Sequence, residues 1–501
     1  MKSGKMTSSV LSFLICASIL TACGAESAGT PAESAKQPTA DNTPETEAVT
    51  EPSLFSPDIP DTDLGGKEYH FFVMGPARNA ANYSVEIYAE AENGDAITDA
   101  VFRRNSALQE KYNFVIAETP STDNNMAADV KKLVMAGDDV YQVTMLNLTD
   151  ASNLSSQHLL YALNETKYID FSKPWWDSVM ANELSVGKKV FYGLGDINIM
   201  DNNATWAVFF NKKLISDYDM PSPYADVQAN NWTLDRYYEY ITGIARDLDG
   251  DGVMDAENDL WGTVGEGYNA YMHYIAAGER LSEKNADDLP VLRAPTSRTT
   301  TALEKIMNIM RDSERVINAE KYSSKYTSVF NDLIRRDFKT DHALFYVAGL
   351  LTFTLLRDME SEYGMVPMPK LDSAQEKYYT TLNYNNMSTV TMPAANQNPD
   401  ETSLVIEALA CASADTLTPA YYEKALERKY MRDEESRAML DIILDSRVYD
   451  LCSLYDWGGV YSIIGSMVNS SSTDFMSSYA KKESAAVKAI EKFCDELNAA
   501  E

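Results

Sequence analysis

The chain is 501 residues long, with 45% hydrophobic and 10% aromatic residues. That is more than a single core accommodates, so two lobes or domains are expected. Its net charge of −32, from 75 acidic against 43 basic residues, argues against nucleic acid and anionic membrane surfaces as partners. The basic doublets Arg103-Arg104, Lys188-Lys189 and Lys212-Lys213 are scattered and read as solvated faces.

At the N-terminus, Lys2 and Lys5 precede a short apolar run from Val10 to Leu20. The run is too short for a mature transmembrane helix and reads as an export signal over residues 1–22. It ends in Leu20-Thr21-Ala22-Cys23-Gly24, which resembles the bacterial lipobox and implies lipidation of Cys23. Such an anchor holds a protein on the outer face of the cell membrane without a transmembrane helix. Residues 23–64 are rich in Ala, Ser, Thr, Pro and Glu and are expected to form a disordered tether. Cys411, Cys452 and Cys494 are odd in number and widely spaced. They form neither a disulfide framework nor a zinc pattern and are expected to be buried.

The folded part is expected to open with a strand at Lys67–Met74 and a helix at Asp95–Tyr112. A strand at Asn113–Ala117, a helix at Asn124–Ala136 and a strand at Val140–Leu146 follow. This alternation predicts an α/β fold built on parallel sheet. Phe191–Leu194 looks like a strand end and Trp206–Phe210 like a second strand. The polar stretch between them reads either as a crossing between two α/β lobes, where ligands bind, or as an ordinary surface loop. Further on, helices are predicted from Thr233 and over Pro295–Asp312 and Ser324–Asp337. Ala343–Leu356 reads as a buried strand leading into a helix, Met365–Pro369 as an edge strand or second crossing, and Leu382–Thr391 as a strand. The chain beyond Asp400 is expected to be mostly helical, ending in a helix at about 473–497.

The most specific local motif begins at Asp247. Asp247, Asp249, Asp251 and Asp255 occupy positions 1, 3, 5 and 9 of an EF-hand calcium spacing, with Gly252 at position 6. The Val253 carbonyl takes position 7. Position 12 is Asn258 rather than an acid, and Asp259 follows one place late; either a one-residue bulge lets Asp259 close the loop, or Asn258 or Glu257 takes its place. A single Ca²⁺ would stabilise such a loop. The chain contains no HExxH, P-loop or G-x-S-x-G motif. Aromatic residues at apparent strand ends or in loops, namely Trp175, Trp176, Trp206, Tyr268, Tyr346 and Trp457, suit stacking on sugar C–H groups. Asp196 beside them would orient hydroxyls and discourage anionic solutes.

Taken with the lipobox, several stretches carry a family resemblance: DAVFRRNSALQEKYNFVI (99–116), YGLGDI and ATWAVFFNKKL within 192–214, RDLDGDGVMDAENDLWG (246–262), ALFYVAGL (343–350) and DWGG (456–459). The chain resembles the extracellular solute-binding lipoproteins of bacterial ABC importers, family 1, which includes the maltose- and oligosaccharide-binding members. The resemblance implies a two-lobed, periplasmic-binding-protein-like (type II) α/β fold, each lobe a mostly parallel sheet flanked by helices. The first lobe would take residues 65–197 and about 368–430, the second 198–367 and about 431–501. It further implies a monomer that captures a mono- or oligosaccharide and hands it to an ABC permease without chemistry. The alternatives are a lipid-anchored carbohydrate-active enzyme and a calcium-stabilised surface binding module.

Overall fold

A computed structural model describes residues 55–426, 434–470 and 474–498. Cys23, the export signal and most of the tether lie outside the described residues. Two sheets organise the rest. The first contains β1 (Lys67–Val73), β2 (Phe114–Pro120) and β3 (Val143–Leu146). The second contains β4 (Trp206–Asn211), β5 (Trp261–Gly265), β8 (Val316–Asn318), β9 (Ala343–Gly349) and β10 (Tyr363–Val366). Between β5 and β8 lies a small hairpin of β6 (Ser282–Lys284) and β7 (Pro290–Leu292), and β11 (Thr389–Thr391) returns to the first sheet.

The first sheet has the order β11-β3-β1-β2. Its first three strands in sequence are parallel and joined through the helices Ala96–Tyr112 and Met126–Ala136; β11 is antiparallel. Alternation along β1 divides its side chains between the sheet's faces. Tyr69, Phe71 and Val73 enter one apolar cluster, while Phe72 and Met74 enter the larger one. The second sheet, ordered β10-β4-β9-β5-β8, is mixed rather than mostly parallel. β4 is antiparallel to both its neighbours, and only β9, β5 and β8 run parallel.

Most elements read from periodicity occur, including Leu234–Ile244 capped by Thr233 and Ser297–Met310 with its Thr296 capping box. Others differ. Phe191–Leu194 is not a strand; Gly193 makes one isolated bridge to Val390. Of Leu382–Thr391 only Thr389–Thr391 pairs as a strand. The predicted helix at 324–337 is a π-helical turn over Phe330–Arg335 followed by Arg336–Lys339. Composition also places the tether's end too late. Phe55 meets Trp175 edge-on at 6.2 Å, Ile59 packs on the first-sheet core and Leu64 is buried.

Arg104 overturns the reading of Arg103-Arg104 as a solvated doublet: it is 1% exposed. Its guanidinium donates to Glu86 O at 2.8 Å, Ile87 O at 3.2 Å, Ser413 Oγ at 2.9 Å and Asn105 Oδ1 at 3.0 Å. Buried charge needs such a full set of partners. The arrangement pins the long loop after β1 to the helices behind the sheet. Cys411, Cys452 and Cys494 are free and buried, as expected. No helix among the described residues is long and apolar enough to cross a membrane.

Buried carboxyls give the fold a pH signature. Burial, reinforced by the charge of Glu86, pushes Glu118 up to about 8. Burial pushes Glu407 up to about 7 although Trp176 and Trp175 donate their indole N–H groups to it at 2.8 and 2.9 Å. Both titrate near 4.5 in the unfolded chain, so between that pH and 7–8 the folded state holds protons that the unfolded state has lost. Stability contributed by these groups therefore falls as pH rises through that window. Denaturant unfolding at pH 5.5 and pH 8 should show the higher midpoint at pH 5.5, with a smaller difference in Glu407→Gln. A higher midpoint at pH 8 contradicts this.

Candidate functional site

Two chain segments, 195–205 and 367–388, pass between the sheets and are hydrogen-bonded to each other. Trp206 N donates to Thr381 O at 3.1 Å and Asn383 N to Ala204 O at 3.0 Å. A third segment joins on the other side: Thr380 N donates to Ser446 O and Val448 N to Thr380 O, both at 2.9 Å. The hydroxyl of Thr380 also donates to Trp206 O at 2.8 Å. The polar stretch 196–204 is thus a crossing between sheets. Its C-terminal half forms a short helix, Met200–Ala204.

The C-terminal ends of β1 and β3, and those of β5 and β9, lead into this region, where open α/β sheets bind ligands. On the first-sheet side the loop after β1 grips the second crossing. Arg78 Nη2 donates to Asn385 O and Asn82 Nδ2 to Asn386 O, both at 2.6 Å, and Ser388 Oγ donates to Glu86 Oε1 at 3.0 Å. On the second-sheet side Leu350 N donates to Thr205 O at 3.0 Å and Leu351 N to Asn203 O at 2.9 Å. This approach requires Gly349, where a Cβ would stand 2.9 Å from Asn203 O.

Between the two sides lies a cavity of about 290 Å³, walled by Ala81, Asn82, Ile199, Asn203, Leu350 and Phe353, among others. It is mostly apolar with a few polar groups, and its volume is at the small end of the ~300–1,000 Å³ usual for small-molecule pockets. Asn82 is 5% exposed, and its Oδ1 is a buried acceptor with no partner. Beside the cavity, at the same sheet edge, Trp206 stands opposite Gly349 in the β4–β9 pairing. Its Nε1 is a buried donor with no acceptor. Tyr268, half-buried after β5, lies 5.8 Å from the Trp206 ring and 6.3 Å from Tyr461. Two residues before it, burial and the charge of Glu320 push Glu266 up to about 7. Trp206 is itself 4% exposed and, like Tyr268, packs behind the cavity rather than lining it, and the unmet donor and acceptor of Trp206 and Asn82 suit hydroxyl-rich ligands.

The other predicted ligand residues are placed elsewhere. Tyr346 is buried between Phe209 and Phe338, with Arg335 beside its hydroxyl. Trp457 is a correction: its ring stacks on Tyr455 at 5.0 Å and meets Phe493 of the helix Phe475–Asn498 at 5.4 Å. Core packing occupies the faces that were to stack on sugar. Trp176 is also a correction, since its indole bonds Glu407 inside the first-sheet core. Asp196 lines a separate pocket of about 300 Å³ with Asp201, Asn202 and Arg447, and Trp176 also reaches its wall, so two predicted residues meet there but away from the cavity. The helix Met200–Ala204 stands between that pocket and the cavity, presenting Asn203 to the cavity. Burial pushes Asp196 up to about 6 against the pull of the Thr418 hydroxyl. Residues missed from sequence are Asn82, Asn203 and Leu350–Phe353; the one available signal was the Asn- and Tyr-bearing stretch 79–83 soon after a strand.

The Asp-rich loop is a second candidate centre. Carboxylate oxygens of Asp247, Asp249 and Asp259 lie within 4.8 Å of one another, as do those of Asp249, Asp251 and Asp255. Asp259 is fully buried and accepts from Leu248 N at 2.9 Å and Asp255 N at 2.6 Å. Asn258 is exposed and donates to Asp255. Asp247 accepts from Gly250 N at 2.6 Å and Gly252 N at 2.7 Å, with both glycines at positive φ. Asp249 is held down by the Asp251 N–H but raised on balance by desolvation and by the charges of Asp251, Asp247 and Asp259. This crowding of hard oxygens fits a hard cation. The Val253 side chain points to solvent.

No protein-family model matches the sequence, and no curated protein does. Solved structures do. The galacto-N-biose-/lacto-N-biose I-binding protein of the ABC transporter from Bifidobacterium longum, in complex with lacto-N-biose, matches with a TM-score of 0.56 at 10% identity, over 86% of this chain and 98% of that one. A cyclo/maltodextrin-binding protein complexed with maltotetraose gives 0.53 at 13% identity, over 86% and 97%. An ABC substrate-binding protein from Listeria monocytogenes in complex with cycloalternan gives 0.51 at 13% identity, over 87% and 99%. The fold is that of the two-lobed ABC substrate-binding proteins. At such identities the likeness is one of fold, so the site of this substrate-binding-protein fold has to be read from its own side chains.

Proposed function

We propose that this chain is the solute-capturing component of an ABC importer, binding a carbohydrate between its two lobes and releasing it unchanged to a permease. The observation that carries the reading is the cavity that loops from both sheets wall, with the Trp206–Tyr268 pair packed at the strand ends beside it. The buried, unpartnered Trp206 Nε1 and Asn82 Oδ1 supply one donor and one acceptor for sugar hydroxyls. Closure about the crossings follows if the solute binds the closed form more tightly. A screen of mono- and oligosaccharides by thermal shift, with mass spectrometry of the recovered ligand, should find a stabilising sugar that comes back intact. Recovery of cleaved sugar overturns the transport reading. Trp206→Phe removes one N–H and should weaken that sugar about two- to tenfold, the worth of one hydrogen bond. Trp457→Ala should lower stability by about 3–5 kcal/mol at unchanged affinity. The reverse pattern in calorimetry contradicts the assignment.

The Asp247–Asp259 loop holds one structural Ca²⁺ in this reading, with Asp247, Asp249, Asp251, Asp255 and Asp259 as the carboxylate ligands and the Val253 carbonyl among them. The ion neutralises the crowded carboxylates and so stabilises the loop, which is braced against the second lobe by the Arg336–Ala256 and Trp261–Asp255 hydrogen bonds. A metal present at a hundred times its dissociation constant adds about 2.7 kcal/mol. Chelation should lower the melting temperature of the wild type and leave Asp251→Ala unmoved. An unchanged wild-type melt, with no calcium by elemental analysis, removes the site.

Lipidation at Cys23 would keep the protein on the outer face of the membrane beside its permease. Cys23→Ser should appear in the medium without lipid. Retention of that variant in the detergent phase contradicts the anchor.

A further inference from the structure

The cavity between the lobes does not end at its apolar walls. Ala80, Ala81 and Thr354 line it and also line an adjoining groove of about 710 Å³. The charged side chains of that groove are Arg335, Arg336, Lys339, Arg357 and a single acid, Asp358. In a chain of net charge −32, a concentration of positive charge at the mouth of the interlobe space sets the sign of what is drawn there.

Two of the four cations are already matched. Arg336 pairs with Asp337 at 2.6 Å, and Lys339 pairs with Asp358. Arg335 and Arg357 make no ion pair with any carboxylate among the described residues. Arg335 is half-buried, its Nη1 donates to the neutral amide of Asn331, its side chain also reaches the neutral Tyr346 hydroxyl, and its Nε is a buried donor with no acceptor among the described residues. Arg357 is exposed on the same groove. A partly buried guanidinium facing only neutral partners favours an oxyanion, which its planar fork binds through paired hydrogen bonds. Asp196, expected from sequence to discourage anionic solutes, belongs to the separate pocket beyond the helix Met200–Ala204 and does not oppose this.

We propose that the captured solute is an anionic oligosaccharide. Its sugar rings occupy the cavity, and an oxyanion on the chain, a uronate carboxylate or a sulfate ester, is bound in the adjoining groove by Arg335 and Arg357. This rests on the carbohydrate reading above. The test is calorimetry on the full chain with three probes of equal length: a galacturonate trimer, a neutral galactose trimer and a sulfated galactose trimer. At least one anionic probe should bind at least about tenfold more tightly than the neutral one, with affinity falling as salt rises. Arg357→Gln, at an exposed position, and Arg335→Gln should each remove about tenfold of that preference and leave binding of the neutral probe unchanged. Whether the carboxylate or the sulfate probe binds identifies the oxyanion. A neutral probe that binds as well as both anionic ones, or a preference that survives both substitutions, overturns the proposal and leaves the carbohydrate reading standing. If no probe binds and a broad sugar screen is also blank, both readings fall.

Discussion

The structure depends on how two crossing segments are tied to each other. Main-chain hydrogen bonds between 204–206 and 381–383, and between 380 and 446–448, make a narrow ribbon in which neither crossing moves alone. Side chains reinforce it. Arg447, half-buried beside the ribbon, donates to Asp201 at 2.8 Å and to Asn202 at 3.1 Å on the first crossing. A ribbon of this kind permits bending of one sheet against the other but resists sliding, the mechanical requirement for hinge closure. It also aligns the strand ends. The N-terminal end of β4 is a member of the ribbon, so Trp206 is carried to the edge of the interlobe space, and β9 delivers Leu350 beside it.

What was legible in the sequence follows from this. The first crossing could be read because a polar stretch interrupts two β-rich runs and because its chemistry is local. Strand and helix identity along β1 to β3, β4 and β9 was legible through periodicity for the same reason. The site itself was not. Asn82 becomes a cavity residue only because Arg104 and Ser388 hold the loop after β1, and Arg104 Nη1 reaches Ser413, 309 positions along the chain. Nothing local to that loop encodes such contacts. The tryptophans show the opposite failure. Trp457 sits in a Gly-flanked turn that looks exposed, but Phe493 of the last helix covers it, and Trp176 disappears into the core on a carboxyl that burial pushes up to about 7. Asp259 was undecided from spacing alone, and its complete burial against two loop N–H groups distinguishes it from exposed Asn258.

Two groups of acidic residues stand apart from the ordinary exposed acids such as Asp358. One is the exposed loop beginning at Asp247, where repulsion among carboxylates invites a cation. The other comprises buried acids, among them Glu86, Glu118 and Glu407, that desolvation pushes toward the neutral form. Neither population lines the interlobe groove, where the basic side chains gather. The overall charge of the chain is therefore a poor guide to the local charge of this groove.

The central claim is that solute binding bends the two lobes about the crossing ribbon, and an interlobe distance tests it most directly. Met135 in the first lobe is 73% exposed, and Glu304, on the helix Ser297–Met310 of the second, is also exposed. The cysteines of the described residues are buried, so Met135→Cys and Glu304→Cys can be spin-labelled selectively in a chain carrying Cys16→Ser and Cys23→Ser. Pulsed electron paramagnetic resonance should show a distance distribution that shifts and narrows when a saturating stabilising sugar is added. An identical distribution with and without that sugar contradicts the account.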